Sequence, residues 1–203
     1  MPALTTAQRI RATVGVAVIF GTWFYLVFTR PTDWESVGGS SPALITLGGY
    51  VFGAILLLSA SLPILPARTI AIIPAALVLN IVIGQIVGSV GIPLYLDSVG
   101  TILVAGLAGP IAGLATGTLS SIVWGLFNPA ALPFAAVSAM VGLLSGVMIA
   151  KGALRNIPLT IAAGVGLGVI SGMLAAPVAA FVYGGTAGEL PRSEERRVGK
   201  ECR

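Results

Sequence analysis

The sequence predicts an all-α fold, a polytopic bundle of membrane helices with about seven hydrophobic segments. Three observations carry that prediction. The 203 residues are 56% hydrophobic and only 9% charged, a balance that soluble domains do not show. Apolar runs of about 18 residues or more, the length needed to cross a bilayer, recur along the chain. The alternating strands of roughly ten residues that mark a transmembrane barrel are missing.

The segments follow in order. The first covers 10–29, just after Arg9 and Arg11. It has the look of a signal peptide, but no small-x-small cleavage site follows it and further spans do, so it reads as a retained helix. A polar loop over 30–42 carries Asp33, Trp34 and Glu35. The second segment covers 43–62, and a short turn with Pro63, Pro66 and Arg68 leads into the third, 69–90. Gly91, Ile92 and Pro93 break the chain there. Two shorter arms, 94–108 and 111–127, meet at Gly109-Pro110 and predict a helical hairpin. Asn128, Pro129 and Pro133 mark the next turn. Segments over 132–150 and 158–183 complete the series, separated by Lys151 and Arg155.

Positive charges favour the cytoplasmic side of a membrane. Arg9 and Arg11 therefore place the N-terminus inside, and Arg68 falls inside as well. Lys151 and Arg155 follow only if 94–127 turns back on itself as a hairpin. The arms are short: about fifteen residues give roughly 22 Å of helix against about 30 Å of hydrocarbon. The organisation expected is two N-terminal membrane helices over 1–68, a membrane core over 69–191 and a separate tail over 192–203. The expected location is a bacterial plasma membrane, with the lipid bilayer as the surrounding partner.

The tail RSEERRVGKECR differs in kind from the rest. It holds 5 of the 11 basic residues, 3 of the 7 acidic ones and the single cysteine. It resembles the translation of a short-read sequencing adapter, which implies that the gene continues beyond about Pro191. The body then contains neither cysteine nor histidine, which leaves no thiolate or imidazole for a metal site.

Catalytic chemistry finds little support. A Ser-His-Asp or Cys-His constellation needs a histidine, and there is none. No phosphate-cradling G-x-x-x-x-G-K-[ST] loop occurs. An enzyme, a bound cofactor and a nucleic-acid partner are accordingly not expected. The chemistry that remains is binding. Asp97 is the only charged residue between Arg68 and Lys151, and a carboxylate amid apolar helices usually has a task. It suits a ligand amine, amide or hydroxyl, or else the N-cap of the following helix. Tyr95 is a candidate ligand wall or an interfacial aromatic. Asn80 and Gln85, inside the third segment, need partners from a ligand or a neighbouring helix. Trp124 can stack on a flat ring and Asn128 can read its amide edge, or the two are an interfacial indole and a turn residue. Ser98, Thr101, Ser120 and Ser121 suit bonds back to their own helix. Small residues at Gly109, Gly113 and Gly117, beside Pro110, predict close helix packing rather than a phosphate loop. The same spacing recurs at Gly84/Gly88, Gly142/Gly146 and Gly164/Gly168/Gly172.

From Arg68 onward the chain resembles the substrate-binding membrane subunit, or S component, of energy-coupling factor (ECF) vitamin transporters. The resemblance rests on Ala71-x-x-x-Ala75, on Pro93 to Ser98, on Leu107-x-Gly109-Pro110-x-x-Gly113-x-x-x-Gly117 and on Ala175 to Gly188. It implies a small-molecule substrate bound at the outward face, with no cofactor. It also implies docking onto a coupling membrane subunit that carries two ATPase subunits, with Ala71 and Ala75 at that contact. The chain departs from the pattern in three ways. Two extra segments precede the core, the sixth core helix is missing, and Ser121 stands where many members carry Asp. The rival expectation is the membrane-embedded input domain of a signalling protein such as a histidine kinase. A secondary transporter ranks last, because neither repeat symmetry nor carboxylates for a coupling ion stand inside the spans.

Overall fold

The computed structural model describes residues 4–31, 40–89 and 97–183. Among them it is helical, with seven α-helices: α1 Thr6–Thr29, α2 Ser41–Ser61, α3 Ala67–Ser89, α4 Val99–Ala108, α5 Pro110–Gly125, α6 Ala135–Ala150 and α7 Ile157–Val182. Five stretches are long and apolar enough to cross a membrane: Thr6–Thr29, Ser41–Ile64, Ala67–Val87, Pro129–Ala150 and Ile157–Val182. The chain is thus a multi-pass helical membrane protein in its architecture. The hairpin helices α4 and α5 are shorter, at 10 and 16 residues.

Local chemistry sets the helix ends. Thr5 and Gln8 form a capping box at the start of α1: Gln8 N–H donates to Thr5 Oγ1 at 3.3 Å and Thr5 N–H to Gln8 Oε1 at 2.9 Å. This is why α1 begins at Thr6 and not at residue 10. Asn156 caps α7 by accepting from Leu159 N–H at 3.0 Å, with Pro158 in the first turn. At the hairpin tip Gly109 has φ +87°, a conformation that L side chains rarely adopt. It ends α4, and Pro110 opens α5. A Gly-Pro pair supplies both a positive-φ stop that glycine adopts readily and a preset helical start.

α5 is the hub. Every residue from Ala112 to Thr118 is buried, so this helix has protein on all sides. α6 crosses it at backbone distance. A Cβ on Gly113 would lie 2.7 Å from the Gly142 carbonyl oxygen, and one on Gly146 would lie 2.5 Å from Pro110 Cα. Gly117 meets the Ser138 carbonyl in the same way, and a bond of 2.9 Å joins the Ser121 and Ser138 hydroxyls. Small residues at these places let two backbones touch. α1 and α2 form an antiparallel pair through Gly15, Gly49 and Gly53, and α2 lies against α5. Tyr50, fully buried on α2, anchors a core of Ile19, Leu26, Leu57 and Leu114. α3 and α4 pack on another flank of α5. α7 is largely exposed, with Val178 buried and its Leu174 carbonyl accepting from Trp23 Nε1–H at 3.2 Å.

Helix directions alternate, and this sorts the charges. Arg9, Arg11, Arg68, Lys151 and Arg155 gather at one end of the bundle. Arg30 and Asp97 stand at the other. The hairpin enters from the Asp97 end, and its tip lies against Gly146, one turn short of the far end of α6.

Candidate functional site

Asn80 is fully buried on α3, and among the described residues its side-chain bonds go to the hairpin. Its Oδ1 accepts from Gly100 N–H at 2.7 Å. Its Nδ2–H groups donate to Thr101 Oγ1 at 2.9 Å and Ser120 Oγ at 3.2 Å. Gly100 is the second residue of α4, so Asn80 caps that helix from another helix. The local N-cap, Ser98, makes no side-chain cap bond. One amide therefore ties α3, α4 and α5 together, and Gly100 lies so close to Ala76 that any Cβ would strike its backbone.

One turn further along α3 the clasp opens into a cluster. Asp97 and Trp124 meet over Gly84: a Cβ there would lie 2.7 Å from Trp124 Cη2 and 3.0 Å from Asp97 Cβ. Asp97 is part-buried, and Ser98 Oγ–H donates to its carboxylate at a long 3.4 Å. None of the described basic side chains acts on it. Burial pushes its carboxyl up, opposed by the hydrogen bonds from its own backbone and from Ser98. The cluster thus offers an uncompensated carboxylate beside an indole at the end of the bundle away from most basic residues.

The residues singled out in the sequence fall into three groups. Asp97 and Trp124 come together. Asn80 lies one turn before Gly84 on α3 with no exposed surface. Of the two expectations for Asn80, a ligand or a neighbouring helix, the bonds its amide makes to Gly100, Thr101 and Ser120 are of the second kind. Asp97 is not the helix cap, because Asn80 accepts from the Gly100 N–H. The expected back-bonding of Thr101, Ser120 and Ser121 gives way to partners on other helices, Asn80 and Ser138.

Asn128 Oδ1 accepts from Ala130 N–H at 3.2 Å and caps the 3-10 helix Pro129–Phe134, a turn role. Gln85 is exposed, about 100° around α3 from Gly84. Tyr95, with the expected start of the first hairpin arm, lies outside the described residues, as do Asp33, Glu35 and the tail. Ala71 and Ala75 are exposed on α3, toward its basic end. A cavity of about 180 Å³ lined by Arg30, Pro177, Ala180 and Phe181 lies between the ends of α1 and α7 and includes none of the candidates.

Sequence reasoning missed Gly84 as part of this cluster, having assigned it to helix packing. The available signal was its position four residues after Asn80, on the same helix face. Compared with known proteins, the chain matches no family model, no curated protein and no solved structure.

Proposed function

We propose that this chain is the membrane substrate-binding subunit of an ECF-type importer for a vitamin-like small metabolite. In this reading it sits in a bacterial plasma membrane with its N-terminus in the cytoplasm. The observation that carries the reading is the meeting of Asp97 and Trp124 over Gly84. It lies opposite the end that holds Arg9, Arg11, Arg68, Lys151 and Arg155, so the positive-inside rule turns the cluster outward. An importer subunit without an ATPase of its own needs a binding site facing out and a surface for its motor. The exposed pair Ala71 and Ala75 supplies a small-residue face near the cytoplasmic end of α3, where a coupling membrane subunit can approach closely.

In this account the hairpin is the binding scaffold. Asn80 fixes the start of α4, Gly109-Pro110 fixes the turn, and the glycine contacts with α6 hold α5 still, so Asp97 and Trp124 are presented on a rigid base. The reading is tested by co-expression with the coupling subunit and ATPase pair of the source organism, followed by affinity capture on the ATPase. The expected result is a stable complex that retains this chain in detergent and that Ala71→Leu with Ala75→Leu weakens. Absence of this chain from a correctly assembled coupling module would contradict it.

A further inference from the structure

Resting on that reading, we infer that the Asp97–Trp124 cluster selects a cationic substrate, an amine or ammonium group carried on or beside a flat ring. Three observations converge. Among the described residues Asp97 is the only carboxylate, it is part-buried, and its one side-chain partner is the weakly placed Ser98 hydroxyl. The described basic side chains other than Arg30 lie at the opposite end of the bundle, and Arg30 Nε–H donates to the Val27 carbonyl at 3.3 Å, so among the described residues no cation pairs with Asp97. The indole of Trp124 stands at the same point over Gly84. A part-buried carboxylate without a cation is costly, and a ligand cation that pairs with it recovers that cost. An indole face beside it adds attraction for the same charge and stacks a ring. An anionic ligand would meet a carboxylate there and, among the described residues, no basic side chain shown beside it.

Gly84 is the specificity-determining floor of this cluster. Any side chain at 84 would displace the Trp124 ring or the Asp97 side chain, because Trp124 Cη2 lies 2.7 Å and Asp97 Cβ 3.0 Å from where its Cβ would be. The absence of a Cβ is what lets carboxylate and indole face one ligand.

The test uses the full chain in nanodiscs of zwitterionic lipid and isothermal titration with benzylammonium, benzamide and benzoate, three probes of similar size and different charge. The expected order is benzylammonium tightest, by about tenfold or more over the other two. Asp97→Asn, nearly the same shape, should erase the preference. Trp124→Phe, which keeps a ring with a weaker face, should reduce it in part, and Gly84→Ala should weaken binding of the cation. Equal binding of the three probes, or a cation preference that survives Asp97→Asn, overturns the inference. Capture by the coupling module without a cation preference overturns this inference and leaves the transport reading standing. A cation preference without capture does the reverse.

Discussion

Asn80 shows how one polar residue organises a membrane hairpin. In hydrocarbon its amide must find partners, and so must the first N–H groups of α4. The structure solves both needs at once, through Gly100, Thr101 and Ser120. Asn80→Leu should therefore destabilise the fold by about 1–3 kcal/mol, because it strands three buried partners. Thermal unfolding in detergent measures this, and an unchanged midpoint would show that the clasp is dispensable. Asp97 makes a second prediction at this scale. A cation binds the ionised carboxylate, so protons compete and affinity falls as the solution is acidified. Burial raises this carboxyl, so the loss should begin at a higher pH than for an exposed aspartate, which titrates near about 4. Titration of benzylammonium from neutral to acidic pH reads the midpoint. Asn80 was visible in the sequence as a buried amide that needed partners. Its partners were not, because the bonds join residues 20 to 40 positions apart and depend on how three helices meet.

Glycine spacing has two meanings among these helices. On α5 and α6, Gly113, Gly117, Gly142 and Gly146 are places where backbones touch. On α7, Gly164, Gly168 and Gly172 face open space within the chain. Gly142→Val should force α5 and α6 apart and lower the unfolding temperature clearly, since even one Cβ would strike the Gly113 carbonyl. Gly168→Ala should leave it unchanged or raise it slightly, because alanine favours a helix by about 1 kcal/mol over glycine. Equal effects would mean that the crossing is looser than described. The sequence showed both stripes alike, since a spacing does not say what lies opposite. It did reveal the hairpin, because a glycine followed by a proline between two apolar runs stops one helix and starts the next. The capping box of α1 was also legible in Thr5 and Gln8, although the apolar run alone placed the start four residues late.

At the scale of the molecule, the sequence shows a helical membrane protein through length and hydrophobicity alone, properties that need no tertiary contact. The assembly of Asp97, Trp124 and Gly84 comes from α3, the start of α4 and the end of α5, and only packing brings these together. Orientation is the property of the whole bundle most open to test. With Cys202 replaced by serine the chain has no thiol. Single cysteines at Asn128 and Asn156 should then react with an impermeant maleimide from opposite sides of intact cells, Asn128 from outside and Asn156 only after permeabilisation. The reverse pattern would turn the Asp97 cluster toward the cytoplasm.

Uptake by whole cells tests whether this chain is an importer subunit. Cells carrying this chain, with and without its coupling module, would be offered a panel of radiolabelled water-soluble vitamins and related cationic metabolites. The expected result is accumulation of one compound that requires this chain, the coupling subunit and active ATPases together, and that Asp97→Ala abolishes at equal membrane expression. Accumulation independent of the coupling module, or wild-type uptake by the Asp97→Ala variant, would contradict it.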